Sequence, residues 1–405
     1  GSGNSHAIIG NVTVNAGTFN AATGTYDIDG NFILNGGALT TGISALDIFG
    51  NWDGLGGTFQ ATDGEIIMSG PSSTIKTGAT NKFNDLTVSG TADTDSDNDI
   101  EIGGELDVSG TLTVAAGDIL SFSGASSEAH SVTGTLTLNT TAALNSTLDF
   151  RESTSNTMQV DGTLNLNGVG NGGDNSVGRA MVIGDDGSRV NISFPSSGSS
   201  TFNGSFFTVR FPVQEGLQIN SDGNHTMGNG AFYEPTSGGV LLDFEEADNL
   251  PETIDSCSFN GVDGVDKNVK GNSGTSILGD TKGVTFINFG GTLALNATDA
   301  EANDDDSGNP GEIIWFSDVF YSWQPSGHDP ADRENWYSEE GGNGFNPTLS
   351  DFTSNTDLEY KVVDGDLYTA VSNWTSPGSL TLMNGGEIDP AGFTINAINT
   401  AYLKV

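Results

Sequence analysis

The densest run of oxygen ligands in the chain is Asp93-Thr-Asp95-Ser-Asp97-Asn98-Asp99-Ile-Glu101. Alternate carboxylates on a short segment can converge on a hard cation, and Ca2+ selects oxygen ligands of this kind. Crowded like charges repel, so a folded loop gains from a bound cation. The segment is not an EF-hand. Counted from Asp93, Asn98 holds the sixth place, where that loop needs Gly, and Gly104 holds the twelfth, where it needs Glu. A second run, Glu301-x-Asn303-x-Asp305-x-Ser307 with Glu312 beyond, imitates EF-hand spacing but opens on Glu and has Asp306 sixth. Both runs also read simply, the first as a hydrated loop between strands and the second as a charged linker. The candidate ligands of a structural Ca2+ are therefore Asp93, Asp95, Asp97, Asp99, Glu101, Glu301, Asn303, Asp305 and Glu312.

Catalytic constellations are harder to find. Glycoside hydrolysis needs two carboxylates across a cleft, and with 53 acidic residues no pair is privileged by spacing. A lyase acting on uronates needs cationic neutralisation beside its base. Arg151, Arg179, Arg189 and Arg210 are scattered in sequence, although stacking could gather them. His6, His130, His225 and His328 have no metal-ligand spacing, and no phosphate loop, dinucleotide fingerprint or nucleophile elbow occurs. Trp315, Trp323, Trp336 and Trp374 could stack on sugar faces, or could equally fill a core.

The elements that would position these residues follow a period of about twenty. Gly10-Asn11, Gly30-Asn31 and Gly50-Asn51 recur in phase, with Gly70 continuing. Ile8, Ile28, Ile48 and Met68 precede these glycines by two positions, and Phe19, Leu39 and Phe59 hold another shared phase. Short β-rich runs between Gly/Asn turns at this period predict a solenoid whose coils share one core. Asn11, Asn31 and Asn51 should stack as an asparagine ladder, with the neighbouring Gly at positive φ. Trp52 takes the phase of Val12 and Phe32 and so reads as packing. Leu86 and Leu106 keep the twenty-residue step. Leu112, Leu136 and Leu164 continue the strand type at looser spacing, with insertions expected to leave as loops. Phe202, Phe206, Phe207 and Phe211 predict larger, aromatic-filled coils, and Cys257, Phe259 and Phe286 read as core.

Composition narrows the function classes. A net charge of −41 excludes nucleic acid as the main partner, because phosphate binding needs basic surface. It also opposes contact with an anionic membrane, and no apolar run is long enough to span one. Cys257 is the single cysteine, which fits a secreted bacterial protein that does without disulfides and equally a cytoplasmic one. Gly1-Ser2-Gly3 reads as an expression remnant, and the chain as a piece of a longer one.

“GNFILNGGAL”, “GNWDGLGGTFQATDGEIIMSG” and “FNDLTVSG” resemble the strand repeats of large surface proteins from gliding and related Bacteroidota. “IDSCSFNG … VTFINFGG” with “IIWFSD” resembles the segment closing such units, and “YSWQPSGHDPADRENWYSEEGG” the start of the next. The resemblance implies export by the type IX system, a cell-surface location, and an adhesin or filament role. It carries no catalytic motif.

The expected architecture is all-β: a right-handed parallel β-helix over 7–298, an acidic, Trp-containing junction over 299–345, and a tail over 346–405. The tail is either a small β-domain or the first coils of another unit. The expected function is a non-enzymatic, extracellular adhesin or spacer facing a surface glycan or an abiotic surface. A polysaccharide lyase or hydrolase and a purely structural stalk are the rivals.

Overall fold

The computed structural model describes residues 4–397, except 22, 43–44, 60, 62, 79–80, 96–97, 125–127, 153–156, 171–176, 186–187, 196–198, 222, 245–252, 263–264, 272–283, 288, 290–291, 295–302, 305–312, 317–318, 323–335, 338–358, 363–366, 370–372, 377–378, 383–386, 390 and 392–394. The fold is a right-handed parallel β-solenoid with a smaller β-rich C-terminal region. Each coil gives one strand to each of three stacked faces. The first face is a 12-stranded parallel sheet from Ser5–Ile8 to Lys267–Lys270. The second is a 13-stranded sheet from Val12–Val14 to Ile313–Phe316. The third has a 3-stranded and an 8-stranded block, joined by a bond from the Ala61 N–H to the Lys82 carbonyl at 3.2 Å.

The twenty-residue phase is the register itself. Ile8 pairs with Ile28, Ile28 with Ile48, Ile48 with Met68, and Met68 with Val88. Later coils lengthen: Val108 pairs with Val132, Val132 with Val160, and Met158 with Ile192. The strands keep their length while the added residues fall between them, because a residue inserted within a strand would turn its core side chains outward.

Alternation directs the packing. Glu65–Met68 and Thr111–Val114 bury every second residue, and all the inward residues share one core. Aromatics fill it in stacks. Phe32 lies parallel to Trp52 at 5.2 Å, and Trp52 meets Phe59 and Phe83 at 4.9 and 5.3 Å. Further along, Phe202, Phe207, Phe232, Phe259 and Phe286 form a chain of ring contacts at 5.3–5.7 Å. Cys257 is buried among them, and burial pushes its thiol up to about 12. Phe206 and Phe211 instead sit at corners, half-buried, with φ of 45° and 57°.

The asparagine ladder exists, but its chemistry differs from the expected one. The Asn31 N–H donates to Asn11 Oδ1 at 2.9 Å, and the Asn51 N–H to Asn31 Oδ1 at 2.7 Å. The side chain thus satisfies the next coil's backbone rather than the next amide. A true amide ladder runs elsewhere, from Asn35 Nδ2 to Asn15 Oδ1 at 3.0 Å. The adjacent glycines also have a different reason. Gly10 has φ +112°, whereas Gly30 and Gly50 do not have positive φ. A Cβ on Gly30 would lie 2.5 Å from both Asn11 Oδ1 and the Gly10 carbonyl carbon. Close coil-to-coil approach, not a left-handed turn, demands Gly there.

That column continues through Gly70, Gly90, Gly110, Gly134 and Gly162. A Cβ on any of the last four would overlap the carbonyl oxygen of the glycine one coil earlier. Those same four carbonyls accept the N–H groups of Thr91, Thr111, Thr135 and Thr163, and the Gly162 carbonyl accepts that of Thr201, at 2.7–2.8 Å.

The solenoid runs beyond the expected limit at 298. Ile313–Phe316, placed by sequence in the junction, pairs in parallel with Val284–Ile287 and ends the second face. The described tail strands also coil. Tyr360 pairs with Leu380, Tyr368 with Ile388 and Trp374 with Ile395, all in parallel. Trp336 is fully buried, edge-on to Tyr360 at 5.0 Å.

Replacing Gly110 by Ala should therefore destabilise the fold by about 2 kcal/mol through overpacking against a backbone that cannot move alone. Ser109→Ala, next to it on the exposed corner, should stay within about 0.5 kcal/mol of the parent. Urea unfolding of both variants checks the pair; equal midpoints would show that the corner has room.

Candidate functional site

The acidic segment 93–101 crosses from the second face to the third. Its strands are Thr91–Thr94 and Ile100–Ile102, and the turn between them bends around a residue from the next coil. Asp118 is 1% exposed. Its carboxylate accepts the Asn98 N–H at 3.0 Å and the Thr94 hydroxyl, and Thr94 Oγ1 in turn accepts the Ala115 N–H at 2.8 Å. Asn98 closes the turn by donating to the Asp95 carbonyl at 3.1 Å. Asp118 was not among the sequence candidates. Its signal was its place twenty residues after Asn98, in phase with it.

The candidate ligands are distributed rather than gathered. Asp93 is exposed, between Thr74 and Thr113 on neighbouring coils. Asp95 pairs with Lys76 at 2.6 Å, and that contact raises the Lys76 pKa. Asp99 Oδ1 accepts the Ile119 N–H at 3.0 Å. Glu101 takes the Ser123 hydroxyl at 2.6 Å and Lys82 at 3.3 Å. Asp97 lies outside the described residues, as do Glu301, Asp305 and Glu312 of the second run. Asn303 turns inward, 3% exposed, with Nδ2 at 3.4 Å from the Leu293 carbonyl. Among the described residues, no group of three or more His, Cys, Asp or Glu is placed to hold a metal ion.

The arginines do draw together by stacking. Asp149, Ile183 and Arg210 occupy one register column of the third face. Arg151 grips Asp149 through Nε and Nη2 at 3.0 and 2.6 Å. Arg210 holds Glu234 at 2.6 Å, and both Arg210 and Arg189 lie over the Phe211 ring at 5.1 and 5.6 Å. The carboxylates raise the Arg151 and Arg210 pKa values. Arg179 is buried and spans three coils. It donates to Thr208 Oγ1 at 2.8 Å, to the Phe207 carbonyl and to the Asn229 carbonyl at 2.8 Å. Burial lowers its pKa. These guanidiniums fasten corners where Phe206, Asn229, Phe211 and Glu234 adopt positive φ, a conformation that costs free energy for any residue with a Cβ.

The outward side of the second face carries regular polar columns. Thr111, Thr135, Thr163 and Thr201 are consecutive register partners. Beside them Asn165 Nδ2 donates to Thr137 Oγ1 at 3.0 Å, Asn203 Nδ2 to Asn165 Oδ1 at 2.9 Å, and Thr226 Oγ1 to Asn203 Oδ1 at 2.8 Å. Of the four tryptophans considered for sugar stacking, Trp336 is core. The Trp315 and Trp374 side chains and all of Trp323 lie outside the described residues.

The chain matches no protein-family model, no curated protein and no solved structure.

Two buried groups set measurable energetics. Asp118→Ala leaves the Asn98 N–H without its carboxylate acceptor, and should cost about 2–3 kcal/mol in urea unfolding, with Asp118→Asn costing less. His130 is 1% exposed, and its Nδ1 accepts the Leu106 N–H at 3.1 Å. Burial lowers its pKa from 6.5 to about 4. The folded state therefore resists a proton that the unfolded chain accepts. His130's contribution is complete above pH 6.5 and is lost as the pH falls toward 4, by about 3 kcal/mol in all. His130→Gln should flatten that part of the stability–pH profile; an unchanged slope between pH 6.5 and 4 would remove His130 as its source.

Proposed function

We propose that this chain is an extracellular adhesin or spacer domain of a bacterial cell surface, without catalytic turnover, facing a surface glycan or an abiotic surface. The observation that carries the reading is the three-faced stack from Ser5 to Phe316, with its repeated outward Thr and Asn columns. At the usual strand separation, the 12-stranded face is roughly 50 Å long. On the second face Thr111, Thr135, Thr163 and Thr201 recur over four consecutive coils, and groups repeated in this way favour many weak contacts, which add through high effective concentration. The arginines, which a uronate lyase would direct at substrate, are engaged here with Asp149, Glu234, ring faces and backbone carbonyls. The surface location is supported by the repeat-style resemblance to exported Bacteroidota proteins.

Calcium belongs to the same proposal, as a structural ion at Asp93–Glu101. Its support is the density of carboxylates there, with Asp93 and Asp99 exposed. Its cost is that Asp95 and Glu101 must leave Lys76 and Lys82 to serve as ligands.

Two measurements test this. A glycan panel should show retention without released product, and Thr111→Val/Thr135→Val/Thr163→Val should reduce retention. Product above a heat-inactivated control would overturn the non-enzymatic reading, and no retention on any glycan or solid surface would leave a stalk. Thermal melting should rise in calcium relative to EDTA and to NaCl of matched ionic strength. At about 100 times Kd the gain is roughly 2.7 kcal/mol, and Asp95→Asn/Asp97→Asn should abolish it. Equal melts in calcium and NaCl would reject a specific ion.

A further inference from the structure

The second face has a stretch that this acidic chain leaves uncharged. Thr111–Val114, Thr135–Asn139, Thr163–Asn167, Thr201–Ser205 and Thr226–Gly228 follow one another in the sheet, and none contains Asp, Glu, Lys or Arg. Asp93 and Asp255 bound the stretch on the strands before and after it. In a chain of net charge −41, five such coils in succession form a neutral window. We propose that this window binds an uncharged polysaccharide lying along the solenoid axis. The proposal rests on the adhesin reading and names the class of its ligand.

The free hydrogen-bonding capacity of the window selects that class. Thr111, Thr135, Thr163 and Thr201 stand in one register column, partly exposed. Among the described residues, no hydrogen bond engages their hydroxyls. In the next column Asn203 donates to Asn165 and Asn165 to Thr137, and beyond it Asn167 Nδ2 donates to Asn139 Oδ1 at 3.2 Å. Each of these amides keeps at least one N–H and one oxygen lone pair for another partner. A sugar hydroxyl donates and accepts, and so matches both kinds of group. A carboxylate only accepts, and would leave the acceptors of the window unpaired.

Shape and rigidity point the same way. Thr135–Asn139, Thr163–Asn167 and Thr201–Ser205 are five residues long and turn three columns outward. The first face is also uncharged over Ala129–Val132, Thr157–Val160, Ile192–Phe194 and Leu217–Ile219. Its outward column, however, alternates short and long side chains, Ser131, Gln159, Ser193 and Gln218, and so gives no level surface. On the second face the threonines are stiff at χ1 and the amides hold one another, so little side-chain freedom is lost on binding. Coils rise by roughly 4.8 Å. Successive rings of an extended sugar chain advance by a comparable length and can meet equivalent groups coil after coil.

Charge excludes the alternatives. The acidic body repels uronate and sulfate polymers and draws cationic partners to its carboxylates, away from the window. An uncharged polymer experiences neither force.

Retention on immobilised polysaccharides tests the proposal on the full chain. At least one of dextran, cellulose, chitin and galactan should retain the protein equally in low and high NaCl, while alginate and pectate should not. Thr163→Asp, which sets a carboxylate in the middle of the window, should weaken retention at least about tenfold. Thr163→Ser keeps the hydroxyl and should match the parent. Thr157→Asp, which adds the same charge at an exposed position of the first face, should match it too. Should Thr163→Asp fold poorly, Asn167→Asp charges the exposed outer column and should weaken retention likewise. Retention confined to the acidic polymers, or lost in NaCl, overturns the uncharged ligand and leaves an adhesin of another specificity. Retention that a folded window variant leaves unchanged overturns the site. Absence of retention on every polysaccharide overturns the proposal, and absence on solid surfaces as well removes the adhesin reading beneath it.

Discussion

Every coil of this protein depends on the coils above and below it for its backbone hydrogen bonds. A parallel strand has no partner within its own turn, so each N–H and carbonyl on the three faces must find its partner one coil away. That requirement fixes the rise between coils and brings corner backbones into contact. Glycine at Gly90, Gly110, Gly134 and Gly162 follows from it, since a Cβ there would occupy the space of the preceding glycine's carbonyl oxygen. The threonine after each glycine uses that same carbonyl as its acceptor. One atom thus accounts for both the missing side chain and the closing hydrogen bond.

The same constraint governs the buried polar groups. Where a backbone N–H of one coil is not met by a carbonyl of the next, a side chain from the neighbouring coil takes the carbonyl's place. Asn81 does so for Phe59, with Oδ1 2.7 Å from its N–H, while its Nδ2 donates to the Gly54 carbonyl at 2.7 Å. Asp118 serves Asn98, His130 serves Leu106, and His225 Nδ1 serves Phe202 at 3.1 Å. In sequence, such residues resemble catalytic acids and bases. In the stack they act as substitute carbonyls, and burial holds His130 neutral for that task.

This division of labour gives the functional reading its shape. Among the described residues, several basic side chains are paired locally with a carboxylate of their own or a neighbouring coil. Lys76 with Asp95, Lys82 with Glu101, Arg151 with Asp149 and Arg210 with Glu234 each join side chains at the rim of the stack. Exposed pairs of this kind contribute little to stability individually. What they leave is an acidic surface on which outward hydroxyl and amide columns run over several consecutive coils of the second face.

The sequence by itself determined the solenoid and the register of its early coils, because a period of twenty is satisfied by stacking like on like; the three strands of each coil came from the structure. Ile8, Ile28, Ile48 and Met68 could be aligned by counting, as could Val12, Phe32 and Trp52, and the structure pairs them so. Tertiary structure decided whatever depends on neighbours of varying sequence distance. Once coils lengthen, Leu164 meets Phe202 and Leu148 meets Val182, and no fixed period locates such partners. Beyond Gly10, the glycine column looked like a turn requirement and proved to be a packing one, since φ and the clearance between coils leave the same letter in the sequence. The carboxylates of 93–101 alternate along the chain, and Asp93 and Glu101 accordingly share its outward side. Alternation does not choose their partners, which the coils beside the segment supply: Lys76 for Asp95, Lys82 and Ser123 for Glu101, and the Ile119 N–H for Asp99. Which acids meet one another and which meet a cation is therefore set by the stack, not by their spacing.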